Sequence, residues 1–205
     1  MIVGPVTAVH QLRRAVIATL QDWLVWTDGD GRWQPGWPLV DIAQQTGVDV
    51  DRLPPVRAWH RVAAWDDVSE SQQPVVFATS PGLVGEPERR AREWRSVWEV
   101  PVMVAVRGQD YDDTADLVSV FAAAIRTTVL REQPTVDGVE GWWWAGETYD
   151  ALPADQQRTW AGALVTFHCA ASEVVQERPE RDRPDTPFDD AKPIPTVEQV
   201  DVTWK

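Results

Sequence analysis

The stretch from Val100 to Leu130 limits the folds open to this chain more than any other. Residues 99–107 form a nearly continuous apolar run rich in β-branched side chains, which predicts a strand buried on both faces. Gly108 ends the run, and helix N-caps or first-turn acids follow at Asp110, Asp112 and Asp113. Apolar residues then recur at helical spacing: Leu117, Val118, Phe121, Ile125, Val129 and Leu130. A strand, an acidic turn and a returning helix therefore form the expected nucleus.

A second long helix is predicted near the N-terminus, over Val6–Trp26. Its apolar stripe consists of Val9, Leu12, Val16, Leu20, Trp23 and Leu24. The segment Asp28–Arg32 follows with alternating Asp and Gly. It lacks the further acidic positions and the closing Glu of a calcium loop, so we expect a plain turn. A short helix is expected at Asp41–Thr46.

Further strands are indicated by alternating or apolar runs. Val56–Trp65 alternates and Pro74–Thr79 is apolar, so we expect these two to pair as a hairpin. Thr159–Glu173 also alternates and exceeds the usual strand length, so we expect it to project beyond the domain or to enter two subunits' sheets. The remaining segments are expected to be a loop over Ser80–Arg92 with a helical turn at Glu88–Trp94, a loop over Arg131–Gly146, and a short strand or turn at Glu147–Asp150.

The order of these elements predicts an α+β fold. We expect one mixed or antiparallel β-sheet with two long helices packed on a face, within residues 1–175. The remaining residues, 176–205, are expected to form an extended C-terminal arm, because Glu177–Pro195 is too rich in charge and proline for a core element. Its tip, Val197–Lys205, alternates apolar and polar residues, which suits addition of a strand to a neighbour's sheet edge. A disordered tail is the alternative for Glu177–Pro195.

Charge and cysteine content narrow the classes of function. The net charge of −13 argues against a protein that holds nucleic acid by its phosphates. The single cysteine, Cys169, excludes a disulfide within the chain and fits a reducing compartment. We find neither a secretory signal pattern nor an apolar stretch of the roughly 20 residues that cross a bilayer, so we expect cytoplasmic synthesis and no membrane partner. The 13 tryptophans indicate large protein contacts.

The sequence predicts no catalytic, metal or cofactor site. The histidines fall on separate predicted elements, and the adjacent His168 and Cys169 should point to opposite faces of a strand. Carboxylates cluster mainly at predicted turns and helix starts, where solvent or the helix dipole accounts for them. The cluster Trp142–Trp144 is compatible with a glycan platform, with a contact surface or with core packing. In an extended segment Trp142 and Trp144 would share a face while Trp143 turns inward.

A family resemblance spans Val100–Ser172. A strand ends in Val-Ala-Val-Arg-Gly-Gln-Asp-Tyr at residues 104–111, and a helix follows in Thr-Ala-Asp-Leu-Val-Ser-Val-Phe-Ala-Ala-Ala-Ile at residues 114–125. The segments Gly-Glu-Thr-Tyr-Asp at 146–150 and Arg-Thr-Trp-Ala-Gly-Ala-Leu-Val-Thr-Phe-His at 158–168 come next. With the N-terminal helix, this order resembles the tail terminator proteins of long-tailed, non-contractile bacteriophages, also called tail-to-head joining or tail completion proteins.

The resemblance implies a structural virion protein without enzymatic activity. Such a protein forms a homo-oligomeric ring of six copies, caps the tail tube, ends its growth and joins it to the head-side connector or stopper protein. DNA passes through the bore without specific binding, and an acidic wall would suit that passage because it repels phosphates. The residues expected at subunit or partner interfaces are Trp142, Trp144, Val200, Val202 and Trp204. The alternatives are another neck component, such as a stopper or adaptor, and a Trp-rich glycan-binding module.

Overall fold

The computed structural model describes residues 2–3, 7–60, 73–90, 93–151 and 160–176 of the 205-residue chain. The helices in these ranges are α1 (Val9–Leu24), α2 (Trp37–Thr46) and α3 (Tyr111–Glu132), with a 3-10 turn at Val50–Arg52. The strands are β1 (Ile2–Val3), β2 (Val25–Thr27), β3 (Trp33–Pro35), β4 (Ala58–His60), β5 (Val75–Ala78), β6 (Gly82–Leu83), β7 (Glu88–Arg90), β8 (Glu93–Arg107), β9 (Val139–Ala151) and β10 (Trp160–Gln176). The arm expected after Gln176 lies outside the described residues.

The described residues contain an eight-stranded mixed sheet, on which the helices pack. The central path is β10-β8-β5-β4; β9 and β1 pair with β10, while β6 and β7 pair with β8. Only β4 and β5 run parallel among the described pairs. Strands β2 and β3 form a separate hairpin. The predicted α+β class is confirmed.

The main hydrophobic core lies between one face of this sheet and the helices. Strand β8 contributes every second side chain, and β10 contributes the residues opposite them, such as Phe167 beside Val100. Helix α3 buries Phe121 and Ile125 completely, and α1 buries Leu12 in the same cluster. The two long helices were predicted correctly because their apolar residues recur at helical spacing.

Full burial on the second face of β8 is limited to Ala105, near the C-terminal end of the strand. Ala105 is buried there with Val75 and Phe77 of β5, but Arg107 is exposed. The prediction of burial on both faces therefore holds around Ala105 and fails toward the strand's ends. Where only one face of a strand is covered, buried side chains alternate with more exposed ones, as they do along much of β8.

The acidic turn before α3 is held by side chains. Asp110 caps the helix as predicted, since its carboxylate accepts the Asp113 N–H at 2.8 Å. Asp113 is buried and accepts hydrogen bonds from the Arg52 guanidinium and from the Gln109 N–H. The turn passes so close to α3 that a Cβ on Gly108 would lie 2.6 Å from an Asp113 carboxylate oxygen.

The predicted hairpin of Val56–Trp65 with Pro74–Thr79 is wrong. In the structure β4 and β5 are parallel, with Ala58 opposite Val75. Alternation indicates which side chains face the core, but it carries no information on strand direction. The intervening residues 61–74 are numerous enough for a crossover between parallel strands, which needs a dozen residues or more.

Two segments expected as loops contain strands instead. The helical turn predicted at Glu88–Trp94 is wrong, because β7 pairs with the start of β8 and places Arg89 opposite Trp94. The loop predicted over Arg131–Gly146 is wrong for its second half, which belongs to the 13-residue strand β9. In both segments pairing with a long neighbouring strand outweighs the local glycine and charge signals.

Contrary to the expectation for Thr159–Glu173, the last strand does not project from the domain. Strand β10 pairs with β8 from Trp160 to Val174 and with β9 from Ala161 to Ala171. Strand β10 is therefore paired with strands of its own sheet on both sides over most of its length. The open edge of this part of the sheet belongs to β9.

Candidate assembly surface

Strand β9 lies at the border of the described sheet. One side of β9 pairs with β10. No described strand pairs with its other side, and we call this unpaired side of the strand the β9 edge. Edge strands carry unpaired backbone donors and acceptors, and proteins usually shield them or use them for pairing. This edge is therefore the first place to look for contacts with another chain.

The backbone groups at the β9 edge can be assigned from the pairing. In an antiparallel ladder, residues alternate between those bonded to the neighbour and those whose polar groups point away. The backbone N–H and C=O of Trp142 point away from β10, because both form hydrogen bonds with the side chain of Gln133. The backbone groups of Trp144, two residues later, point the same way. After a bulge at Ala145, those of Glu147 and Tyr149 also point away from β10. These last three residues present backbone groups at the edge.

Aromatic and charged side chains line the edge on the helix-covered face. The Arg126 guanidinium carbon lies 4.7 Å from the centre of the Trp144 ring, and its Nη1 lies 2.7 Å from Glu147 Oε2. The Tyr149 hydroxyl donates to Glu147 Oε1 at 2.6 Å. Partial burial, together with this carboxylate, raises the pKa of Tyr149 to about 12. These contacts link Arg126, Trp144, Glu147 and Tyr149 into one cluster beside the β9 edge.

Trp143 lies on the opposite face of β9. Its ring meets His168 edge-on, with 5.8 Å between ring centres, and His168 Nε2 lies 3.6 Å from a Glu99 carboxylate oxygen. Trp143 is 41% exposed. The expectation that Trp143 turns inward is wrong, because this part of the second sheet face is not covered by the helices.

Trp142 shares the helix-covered face with Trp144, as the alternation predicted, but the two rings differ in role. Trp142 is only 6% exposed and its indole N–H donates to the Pro134 carbonyl at 2.8 Å. It is a core residue with little surface to offer a partner. Trp144 is 45% exposed and remains available for contact. The other expected interface residues, Val200, Val202 and Trp204, lie outside the described residues.

A second aromatic surface surrounds the β2–β3 hairpin. Trp26, Trp33 and Trp37 are 54%, 60% and 38% exposed, and the Arg131 guanidinium carbon lies 4.5 Å from the centre of the Trp37 ring. A cavity of about 380 Å³ opens between Trp33 and Trp59. The high tryptophan content is the one sequence signal of this surface, and it does not predict which tryptophans group together, because the grouping depends on the fold.

The adjacent residues His168 and Cys169 point to opposite faces of β10, as the alternation predicted. Cys169 lies in the core and His168 on the opposite sheet face, and burial raises the pKa of the Cys169 thiol to about 12. Asp28 closes a turn between β2 and β3, because Oδ1 accepts the N–H groups of Asp30 and Arg32. No three potential metal ligands gather within the described part of the chain.

None of the described helices is long and apolar enough to span a bilayer.

Comparisons with known proteins give no family assignment. No protein-family model matches the chain, and no curated protein has a significantly similar sequence.

Proposed function

We propose that the chain is a ring-forming structural protein of a bacteriophage tail, which caps the tail tube and joins it to the head-side connector. The single observation that carries the proposal is the β9 edge, a long strand border beside exposed aromatic rings. Trp143, Trp144 and Tyr149 are each more than 40% exposed. Aromatic residues are enriched at protein interfaces, where they bury large areas at low entropic cost.

The arrangement of elements supports the choice of tail terminator. The resemblance depends on a strand, a helix and two further strands, and these are β8, α3, β9 and β10. They are three neighbouring strands of the sheet and the helix that packs on them, with α1 packed against α3 in the same core. A closed ring also needs two different surfaces that meet between neighbouring copies. The β9 edge is one surface that could serve in such a contact, and the exposed tryptophans around the β2–β3 hairpin form a different one.

The charge of the chain supports passage of DNA through such a ring. At a net charge of −13, six copies would repel phosphates rather than retain them. A protein that must let DNA pass differs in this respect from one that stores DNA. The proposed mechanism is geometric: one rim ends the tube, and the other docks the connector.

Assembly measurements test the proposal directly. The mass of the chain, 23.1 kDa, should rise about sixfold by light scattering, either alone or with purified tail tubes, as closed rings require. Electron microscopy with labelled protein should place it at one end of each tube. Labelled protein that remains monomeric and ignores tube ends would contradict the proposal.

The two alternatives make different predictions. A stopper or adaptor would bind the portal side and leave free tubes uncapped. A glycan-binding module would give signals on a glycan array that fall in Trp142→Ala and Trp144→Ala variants. The structure disfavours a shared glycan platform, because Trp143 and Trp144 lie on opposite faces of β9 and Trp142 is buried.

A further inference from the structure

We propose that the β9 edge between Trp144 and Tyr149 accepts residues 197–205 of a second copy as an added strand. The choice of a second copy rests on the proposed ring function; the choice of the edge rests on the structure. The proposal identifies the acceptor for the chain's alternating C-terminal segment and the face to which its apolar side chains turn.

The open part of the edge has a defined beginning. At Trp142 the Gln133 amide already occupies both backbone groups, at 2.8 Å and 3.3 Å, so pairing cannot extend past this residue. Beyond the bulge at Ala145, Glu147 and Tyr149 continue the outward pattern. The acceptor is therefore a short stretch of β9, which suits a short added strand better than a sheet-to-sheet contact.

The apolar residues of the incoming segment match one face of the acceptor. Residues directly opposite each other in a sheet share a face. The residues whose backbone groups face outward at the β9 edge carry side chains on the helix-covered face, where Trp144 and Tyr149 are 45% and 46% exposed. Val200, Val202 and Trp204 would pack there. The alternate residues, including Gln199 and Asp201, would then lie on the open face with solvent.

The connection is long enough to reach a neighbouring copy. Residues 177–196 separate the end of β10 from the segment, and at full extension they span roughly 65–70 Å. Strand β9 itself, with 13 residues, is about 44 Å long at the usual rise per residue. An arm from one copy on the edge of the next joins two different surfaces, which is the contact type that closes a ring.

Cysteine pairing in the full-length chain tests the inference. We propose the register that places Val202 directly opposite Tyr149, so the variant Tyr149→Cys/Val202→Cys should form oxidised dimers and higher species, because opposite side chains have Cβ atoms about 4.5–5.5 Å apart. The control Tyr149→Cys/Asp201→Cys, which places one cysteine on the opposite face, should cross-link at least tenfold less. Cross-links confined to single chains would assign the segment to its own edge and overturn the second-copy proposal. Equal cross-linking in both variants would overturn the pairing.

Truncation separates this inference from the proposed function. Ending the chain at Thr196 should abolish ring formation while leaving the thermal midpoint of the monomer unchanged, and a peptide of residues 197–205 should inhibit assembly of the full chain. Rings that still cap tubes after truncation would refute the arm and leave the proposed function standing. Specific cross-links between copies that never bind tubes would refute the proposed function and leave the arm standing.

Discussion

The side-chain amide of Gln133 bonds both backbone polar groups of Trp142. Gln133 Oε1 accepts the Trp142 N–H at 2.8 Å, and Nε2 donates to the Trp142 carbonyl at 3.3 Å. The same residue ends α3 in the left-handed conformation, with φ of 47°, and its own N–H donates to the Val129 carbonyl at 3.0 Å. One residue thus stops a helix and closes the neighbouring sheet edge.

Replacing Gln133 should reveal both roles. Gln133→Ala removes the two hydrogen bonds to Trp142 and a third, from Nε2 to the Leu130 carbonyl at 2.8 Å, so we expect the free energy of unfolding to fall by about 1–3 kcal/mol. Gln133→Gly removes the same bonds but adopts positive φ without strain, so it should be more stable than the alanine variant by about 1 kcal/mol. Urea unfolding of the three proteins measures this. Wild-type stability in Gln133→Ala would show that the amide contributes nothing.

Gly108 should tolerate no side chain. A Cβ there would lie 2.6 Å from the Thr114 backbone nitrogen and from an Asp113 carboxylate oxygen, and backbone cannot retreat cheaply. We expect Gly108→Ala to lower the free energy of unfolding by about 1–3 kcal/mol. Gly29→Ala is the matched control, because nothing lies within 4 Å of its Cβ position, and it should change stability by less than about 0.5 kcal/mol. Equal effects in the two variants would refute the close approach.

Buried Cys169 should make the protein sensitive to alkali. Burial raises the pKa of its thiol from the ordinary 9.0 to about 12, so between these values only the unfolded chain loses the proton. Stability is therefore unaffected below pH 9 and falls as pH rises toward 12. Tyr149, whose pKa is raised from 10.0 to about 12, acts in the same direction.

Two measurements check the role of Cys169. The urea midpoint should fall between about pH 8 and about pH 11, and the fall should be smaller in Cys169→Ala. A thiol reagent at about pH 8 should modify the wild type only when urea unfolds it, because the native thiol is buried and protonated. Fast modification of the native protein would contradict its burial.

The elements predicted correctly are those whose signals are local. Phe121 and Ile125 of α3 recur at helical spacing, and Val165 and Phe167 of β10 alternate, so each pattern indicates its own buried face. The N-cap at Asp110 was equally local, since a carboxylate needs only a backbone N–H three residues later. Such features depend on neighbours within a few residues and follow from the sequence.

The features that were missed depend on distant partners. Strand β4 runs parallel to β5, and alternation does not encode the direction of a strand relative to its neighbour. The tryptophans of β9 stand beside Gly141, a turn signal, yet pairing with β10 makes the whole segment a strand. The identity of the edge strand follows only from the sheet order. For that reason the sequence suggested Trp142 and Trp144 as equal contact residues, whereas the fold separates them.

This separation gives the sharpest test of the assembly surface. Trp142→Ala should lower the free energy of unfolding by about 3–5 kcal/mol, because it empties a buried site and leaves the Pro134 carbonyl without its 2.8 Å partner. Trp144→Ala should cost about 1 kcal/mol or less, mainly through the lost contact with Arg126. It should instead weaken association of the copies at least tenfold, as expected for an aromatic interface residue.

Leu83→Ala is the control, since Leu83 is 48% exposed but lies on β6, and it should change neither the free energy of unfolding nor the association of the copies. Unfolding in urea and sedimentation velocity measure the two effects separately. A Trp144→Ala protein that assembles like the wild type would remove the β9 edge from the interface.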